Sequence, residues 1–426
     1  MKRLIISLIL FINLIALNAQ IAVNEYLQDN LFYIFDENIH SLQLYPEGIQ
    51  TADPVIRLGY NEKLTCSFDD FDFVGKNYNY TVYHCDPDWK ITENINRNDY
   101  MSGYYHEDYI RDYTSSFNTL RNYMHYSFDF PNENLNISLS GNYALVVYEE
   151  NVDKPSFIAR FYVTEDAVTV STNIGFSKNP EFLQSKQRVA FTINTSNYRI
   201  TDPYKDLLVF VTQNDRQYSK QGNIQPISIM GNSIVYDFQD KFEFNGNNEF
   251  RYLDIRNVKT LTKKIYSIKV DKGEYNILLD AETTFKGKPH TTNFDLNGKF
   301  SIEVKDAENA NVEAEYAFVY FTLFDKIPFH NTDVYICGNF NGWKLEEENI
   351  MSYNYEKGYY EGCIYLKQGY YNYTYLAKRN DTGIILESEM DGSYVETKND
   401  YKILVYYINP GEYYYKLLSY TVASSN

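Results

Sequence analysis

The residue types that most often carry catalysis or bind metals are scattered through this sequence and form no motif. No two histidines stand at the i, i+4 spacing that places two metal ligands on one helix face. HExxH, GxSxG, CxxC and a glycine-rich phosphate loop ending in Lys-Ser or Lys-Thr are also missing. We therefore predict no catalytic residue, no metal and no cofactor. A hydrolase whose carboxylates meet across space is the weakest of three functional hypotheses. The histidines are His40, His84, His106, His125, His290 and His330.

One acidic cluster has the right atoms for a calcium site. Asp69, Asp70 and Asp72, with Gly75 nearby, supply the hard oxygen ligands that calcium prefers. An EF-hand loop needs its glycine at the sixth position and a glutamate at the twelfth, and this spacing provides neither. The sequence favours a solvated turn that follows a strand.

The two tryptophans end the two most distinctive segments. In residues 83–89, a strand runs into a turn, and we interpret it as a structural corner where Trp89 caps the core and Asp86 bonds nearby backbone. In residues 334–343, a strand breaks at a glycine and turns to present Trp343. An aromatic face can stack on the apolar side of a sugar ring, so Trp343 is a candidate for carbohydrate binding.

The four cysteines leave two alternatives open. In an exported chain, Cys66 could bridge to Cys85 and Cys337 to Cys363, since each pair falls within one predicted domain. Alternatively, all four are small buried hydrophobic side chains. Sequence does not supply the Cα spacing that would decide between them.

The amino terminus predicts export. Lys2 and Arg3, the apolar residues 4–17 and the small residue Ala19 are typical of a secretory signal peptide over residues 1–19. No later segment has eighteen uninterrupted apolar residues, so we expect no transmembrane segment in the mature chain. Losing two basic residues would change the formal charge from −18 to −20. Nucleic acid and anionic lipid surfaces are therefore poor partners.

Composition and patterning predict an all-β protein. Tyrosine occurs 44 times and phenylalanine 27 times, and these residues favour pleated, half-buried surfaces. Their abundance also fits a sticky aromatic binding face. Apolar and polar residues alternate nearly everywhere, with a polar linker at residues 306–311. We predict tandem antiparallel β-sandwich domains over residues 20–165, 166–305 and 306–426.

Two local patterns are more specific. Residues 359–366 and 370–377 alternate on either side of a Lys-Gln-Gly turn and predict a hairpin. Another stretch has an aromatic residue at every fourth position, as on one face of a helix, and predicts a short helix or an aromatic loop. Its aromatic residues are Tyr105, Tyr109, Tyr113 and Phe117.

Several short segments of the first predicted domain match one pattern together. With the predicted export, they resemble the type IX secretion system plug protein family, and the resemblance extends over nearly all of the mature chain. The segments are residues 83–89, 99–103, 116–119, 123–126, 131–132 and 140–143. The motif residues are His84, Cys85, Asp86, Trp89, Tyr100, Gly103, Asn118, Thr119, Tyr126, Pro131, Asn132, Gly141 and Tyr143.

This resemblance implies a periplasmic protein without an active site. Such a protein would seat against the inner mouth of an outer-membrane β-barrel translocon, its partner, and would seal the pore while no substrate is in transit. A seal needs a multi-domain body and an aromatic-rich face. The resemblance assigns no particular contact residues.

Residues 334–343, in the last predicted domain, separately resemble the strand and turn of the early-set, starch- and glycogen-binding modules. This resemblance implies an immunoglobulin-like sandwich, and Trp343 occupies the position of one sugar-stacking tryptophan. The second such position, near residues 383–385, has no tryptophan, and Thr374 stands where the family has its sugar-contacting lysine. The second functional hypothesis is thus an envelope carbohydrate-binding protein, although these departures favour a shared fold alone.

Overall fold

The alternating pattern becomes strand almost everywhere in the computed structural model, which describes residues 23–103 and 106–425. The strands form mainly antiparallel sheets packed as three sandwiches, so the predicted all-β fold is confirmed. The predicted signal peptide and Tyr105 lie outside the described residues. Within them, no helix has the length and apolar composition needed to cross a membrane. Short helices include α1 (Arg97–Tyr100) and α2 (Ala310–Glu313), and 3-10 turns occur at Pro180–Phe182, Asn339–Asn341 and Glu347–Asn349.

The N-terminal sandwich encloses a core rich in aromatic side chains. Its strands are β1 (Phe32–Ile34), β2 (Ile39–Pro46), β3 (Val55–Arg57), β4 (Leu64–Asp70), β5 (Asn79–Cys85), β6 (Met101–Ser102), β7 (Asp108–Tyr109), β8 (Tyr113–Ser115), β9 (Met124–Phe130), β10 (Asn136–Ile137), β11 (Gly141–Tyr148) and β12 (Pro155–Thr164). One sheet has the order β1-β12-β11-β5-β7, with β3 parallel to β12, and the facing sheet has β2-β4-β9-β8. Because side chains alternate along β5, Val82 enters this core while Cys85 faces the other side of its sheet.

The stretch with an aromatic residue at every fourth position has an extended backbone over its described residues, so the predicted helix is wrong there. β7 pairs with β5 and β8 pairs with β9, which makes both short strands the outer edges of their sheets. Tyr109 and Tyr113 are 60% and 46% exposed. The backbone of this stretch forms hydrogen bonds with neighbouring strands in place of the hydrogen bonds of a helix. Outside the two short strands, Ile110 N also donates to the carbonyl oxygen of Tyr78 at 2.9 Å.

The middle sandwich combines strands from two distant parts of the chain. They are β13 (Thr169–Phe176), β14 (Lys186–Asn194), β15 (Leu207–Gln213), β16 (Arg216–Gly222), β17 (Ser228–Met230), β18 (Ser233–Tyr236) and β19 (Glu243–Asn245), joined by the last strands, β31 (Asp400–Tyr407) and β32 (Lys416–Ser424). One sheet has the order β13-β14-β18-β17 and the other β16-β15-β31-β32. Val209 and Val405 are paired neighbours in one core. The sheets therefore do not follow the predicted division at residue 305, because the chain returns to this sandwich after completing the third.

The C-terminal sandwich begins well before residue 306. Its strands are β20 (Arg251–Asp254), β21 (Ile265–Asp271), β22 (Glu274–Leu279), β23 (Glu282–Thr283), β24 (Phe300–Ile302), β25 (Tyr316–Phe324), β26 (Thr332–Cys337), β27 (Ile350–Asn354), β28 (Tyr359–Lys367), β29 (Gly369–Arg379) and β30 (Ile385–Leu386). They run in the order β20-β29-β26-β27-β28-β25-β22-β21. β27 joins the two layers because it pairs with β26 on one side and β28 on the other.

The predicted hairpin over residues 359–377 is wrong, although both of its strands are present. β28 pairs with β25 and β27, whereas β29 pairs with β20, β24, β26 and β30. The chain crosses between the layers at Gly369. A Cβ there would lie 2.3 Å from the carbonyl oxygen of Ser301, so only glycine fits this close approach.

All four cysteines are free, and neither of the proposed bridges is present. Cys66 lies between the two sheets of the N-terminal sandwich, while Cys85 packs on the outer face of one of them. Cys337 is buried beside Trp343, whereas Cys363 is exposed on β28. Burial raises the thiol pKa of the three buried cysteines strongly, and it raises the pKa of Cys363 to about 11.

This placement predicts the thiol titration of the protein. Native protein should react with an aromatic disulfide reagent at one thiol per chain, and protein unfolded in urea at four, since Cys363 is the exposed one. Cys363→Ser should abolish the native reaction. Fewer than four reactive thiols in urea would contradict the free state, and a second fast thiol in native protein would contradict the burial.

Candidate functional site

The motif residues around His84 form a buried cluster beneath one sheet of the N-terminal sandwich. His84 is 1% exposed, with Nδ1 2.8 Å from Thr92 Oγ1 and Nε2 3.1 Å from the carbonyl oxygen of Ser140. Burial lowers the pKa of His84 to about 4, so the ring is neutral at pH 7. Gly141 has φ +145°, and a Cβ there would lie 2.5 Å from His84 Nε2. The ring of Tyr143 packs edge-on against His84 at 5.0 Å.

The segment 83–89 forms the structural corner that the sequence predicted. Asp86 Oδ1 accepts from the backbone N–H groups of Asp88 at 2.9 Å and Lys90 at 3.0 Å. Trp89 is 3% exposed, and the guanidinium of Arg160 lies 4.2 Å from its ring centroid. The tryptophan therefore supports the fold and offers no free face to a ligand.

The remaining motif residues also stabilise loops. Asn132, which follows the cis peptide at Pro131, donates to Tyr80 Oη at 2.8 Å and Asp108 Oδ2 at 3.1 Å. Tyr126 Oη accepts from Lys76 N at 2.7 Å. Similar local roles fall to Tyr100, which is buried, to Gly103, where a Cβ would lie 2.5 Å from Asn134 O, to Asn118, which has φ +60°, and to Thr119, which donates to Arg121 O.

A carboxylate is buried where the three sandwiches meet, and we call this group the Asp53 junction. Asp53 precedes β3, and its Oδ1 accepts from Lys299 Nζ at 2.8 Å and Lys402 Nζ at 2.7 Å. Lys299 belongs to the C-terminal sandwich and Lys402 to the middle one. Tyr420 donates to Asp53 Oδ2 at 3.0 Å, and Asp215 also pairs with Lys402. The carboxylates of Asp53 and Asp215 thus balance two ammonium groups. Through Asp53, Lys299 connects the N-terminal sandwich to the C-terminal one, and Lys402 connects it to the middle one.

The charges at this junction depend on one another. Burial alone would raise the pKa of Asp53, but Lys402 and Lys299 outweigh burial and hold that pKa well below its usual range. A buried charge without its partner costs several kcal/mol, roughly 3 to 5 when one member of a buried pair is removed. Asp53, Lys299 and Lys402 therefore stay paired only while the three sandwiches keep their relative positions.

A second buried ion pair, the Asp69 junction, connects the N-terminal and C-terminal sandwiches. Asp69 Oδ2 accepts from Lys367 Nζ and from Tyr316 Oη, both at 2.6 Å, while Oδ1 is 2.7 Å from His125 Nδ1. Lys367 also donates to the carbonyl oxygen of Asn311 at 2.8 Å. Burial raises the pKa of Asp69, but Lys367 and His125 lower it overall.

The N-terminal and middle sandwiches are joined by backbone as well as by side chains. The N–H of Glu165 donates to the carbonyl oxygen of Leu417 at 2.9 Å. Tyr406 donates to Asn142 Oδ1 at 2.6 Å, and both residues are buried. The N-terminal sandwich therefore contacts each of the other two through buried polar groups.

Comparison with known proteins places the chain in a family. Residues 39–165 match the family model for the type 9 secretion system plug protein 1st domain. A crystal structure of a hypothetical protein from Parabacteroides merdae is 31% identical over 93% of this chain and 100% of that one, with a TM-score of 0.89. The chain belongs to the type IX secretion system plug protein family. This confirms the resemblance that the motif segments indicated.

Other comparisons add little. The C-terminal domain of the Streptococcus pyogenes antigen I/II-family protein AspA is 8% identical to the chain, with a TM-score of 0.15 over 90% of this chain and 99% of that one. Among curated proteins, none matches the sequence. All thirteen motif residues fall within the matched range 39–165.

Trp343, the candidate for sugar stacking, lies inside the protein. It is 5% exposed and packs against Phe250, with ring centroids 5.8 Å apart. The guanidinium of Arg216 lies 5.2 Å from the Trp343 ring, and a Cβ at Gly298 would touch it at 2.5 Å. Neither face of this ring is available to a sugar.

The acidic cluster is divided among separate partners. Asp69 belongs to the junction described above, Asp70 pairs with Lys76 at 3.0 Å, and Asp72 pairs with Lys76 from the other side. Within the described residues, no group of three or more His, Cys, Asp or Glu side chains is arranged to hold a metal ion. The cluster contributes ion pairs to the fold. The sequence predicted a solvated turn here, but only Asp72 is exposed to solvent, because Asp69 and Asp70 are buried.

Sequence reasoning missed both junctions. Asp53, Lys299, Lys367 and Lys402 were not singled out, and Asp69 was considered only as a calcium ligand. The available signal was a lysine next to a run of apolar strand residues, as at Lys402 in residues 400–407. This signal does not name the carboxylate that the lysine will meet.

Removing the charge at Asp53 should destabilise the protein. Asp53→Asn leaves Lys299 and Lys402 without their shared carboxylate, so we expect the free energy of unfolding in urea at pH 7 to fall by about 3 kcal/mol. Because the folded-state pKa of Asp53 is depressed, this stabilisation is complete above the unfolded pKa of about 4 and lost as pH falls further. The difference in the free energy of unfolding between wild type and Asp53→Asn should therefore become smaller below pH 4.

The matched control is Glu62→Gln, which removes a carboxylate from the exposed pair with Arg57. Its effect should be far smaller than that of Asp53→Asn. Equal effects of the two substitutions would show that the Asp53 junction does not contribute as described.

Proposed function

We propose that this plug protein lies in the periplasm and seals the periplasmic mouth of the outer-membrane translocon barrel of type IX secretion. The single observation that carries the proposal is the family match over residues 39–165. That family is one of secretion system plug domains and not of enzymes. The plug acts sterically, by occupying the mouth of the pore, and needs no chemical step.

The junctions support a steric role. A blocking protein must keep its shape under the forces that act on it at a pore. Buried ion pairs contribute to such a body because their separation would expose or strand charges. The matched domain is connected to the other sandwiches by the Asp53 and Asp69 junctions, so a load on one sandwich is transmitted to the others.

We propose a contact surface at the open edge of the N-terminal sandwich, the edge patch of Phe73, Val74, Tyr109 and Tyr113. These side chains are 41%, 64%, 60% and 46% exposed. Tyr113 lies against the loop that carries Phe73 and Val74, because a Cβ at Gly75 would be 2.8 Å from its ring. Exposed aromatic residues at a sheet edge offer both apolar contact area and unpaired backbone groups to a barrel.

This proposal predicts the behaviour of a double substitution. Tagged Tyr109→Ser/Tyr113→Ser protein should bind the translocon barrel from solubilised envelope about tenfold or more weakly than wild type, since central aromatic contacts dominate binding energy. Cells carrying it should leak through the outer membrane. Barrel recovery is measured by mass spectrometry and leakage by entry of a large antibiotic.

The control is Phe176→Ser/Tyr204→Ser on the middle sandwich, where the two aromatic residues are 60% and 45% exposed. It should retain the barrel as wild type does. Failure of the wild-type protein to recover any barrel would overturn the plug function. Full retention by Tyr109→Ser/Tyr113→Ser would overturn the edge patch alone.

A further inference from the structure

A cleft of about 730 Å³ lies between the N-terminal and C-terminal sandwiches. One wall consists of residues 32–42, from β1 to the first half of β2. The other consists of residues from β25 and β28 and of the segment 340–349. Specific ligand sites commonly occupy clefts of this size at domain interfaces. Neither the motif residues nor the edge patch lie in this cleft.

Both walls of the cleft present aromatic rings. Tyr33 and Phe35 lie 4.7 Å apart on the first wall, and Phe318 and Tyr365 lie 4.4 Å apart on the second. Phe35 is 37% exposed. Rings on opposite walls can hold apolar side chains that enter between them.

Four acidic side chains line the cleft. Asp36, Glu37, Glu346 and Glu348 all line it, and among the described residues neither Glu37 nor Glu348 has an ion-pair partner. Lys344 lies 4.1 Å from the ring centroid of Tyr33 and 3.9 Å from Glu346, and burial lowers its pKa.

The other basic groups in the cleft do not offset this charge. Lys367 is committed to Asp69 at 2.6 Å. Burial lowers the pKa of His40 to about 4, so its ring is neutral at pH 7. The surplus carboxylates therefore attract a cationic ligand.

The first wall also offers backbone. β1 and β2 are edge strands of their two sheets, and their outer edges have no strand partner in the described part of the chain. An extended peptide can add to such an edge through main-chain hydrogen bonds, while its alternate side chains enter pockets. Edge strands, aromatic walls and acidic side chains thus occur together in one cleft.

We propose that this cleft binds an extended peptide segment in which basic and apolar or aromatic side chains alternate. The basic side chains lie near Glu37 and Glu348, and the apolar ones enter between the aromatic walls. A neutral sugar could stack on the rings, but it carries no positive charge to pair with the carboxylates. This inference concerns the protein itself and does not depend on the translocon.

Cys363 makes a direct test possible, because it lines the cleft and is the one exposed cysteine of the four. The full mature protein is treated with a maleimide, and the labelling rate of Cys363 is followed with increasing acetyl-Lys-Phe-Lys-Ile-Lys-Phe-amide. We expect saturable slowing of the reaction with this peptide. We expect none with acetyl-Glu-Phe-Glu-Ile-Glu-Phe-amide or with maltohexaose.

Charge substitutions then locate the peptide. Glu37→Gln/Glu348→Gln should raise the half-saturating peptide concentration about fivefold, as expected for two partly exposed ion pairs. Glu47→Gln/Glu150→Gln is the control, since it makes the same change in net charge at two exposed glutamates outside the cleft. No protection by the basic peptide, protection by maltohexaose, or equal effects of the two double variants would each overturn the proposal.

Discussion

The arrangement of the three sandwiches depends on one shared carboxylate. Asp53 accepts from Lys299 and Lys402, which come from different sandwiches, and none of the three can be withdrawn without leaving a charge buried. Because Lys402 belongs to a strand that the chain reaches only after finishing the C-terminal sandwich, the junction also connects the end of the chain to its beginning. The Asp69 junction joins the N-terminal and C-terminal sandwiches in a similar way, with Lys367 supplying the ammonium group.

Strands could be predicted from the sequence, whereas their partners could not. Apolar and aromatic runs locate β25 at residues 316–324 and β11 at residues 141–148, since such runs reflect only that these strands are buried in a sheet. It does not encode the return of residues 400–407 to the middle sandwich, or the crossover at Gly369 that separates β28 from β29. Pairing of distant strands is decided by packing and by buried charges whose partners lie hundreds of residues away.

The motif residues and the proposed contact surfaces differ in physical role. His84, Gly141 and Trp89 are buried and fix a corner and a cluster, so a sequence match at these positions reports the fold of a plug domain. Contacts with a partner must involve exposed side chains such as Tyr109 or Phe35. These are the same residue types that fill the core of this tyrosine-rich protein, and for that reason composition alone could not distinguish a binding face from an interior.

The most direct test of the account is whether the sandwiches unfold together. The two tryptophans report on different sandwiches, since Trp89 lies in the N-terminal one and Trp343 in the C-terminal one. In the single-tryptophan variants Trp343→Phe and Trp89→Phe, urea unfolding is followed by fluorescence and by circular dichroism of all the sheets. The account predicts that the two curves coincide within each variant. A fluorescence transition that is displaced from the circular dichroism curve would show that the sandwiches unfold independently and would contradict the role given to the Asp53 junction.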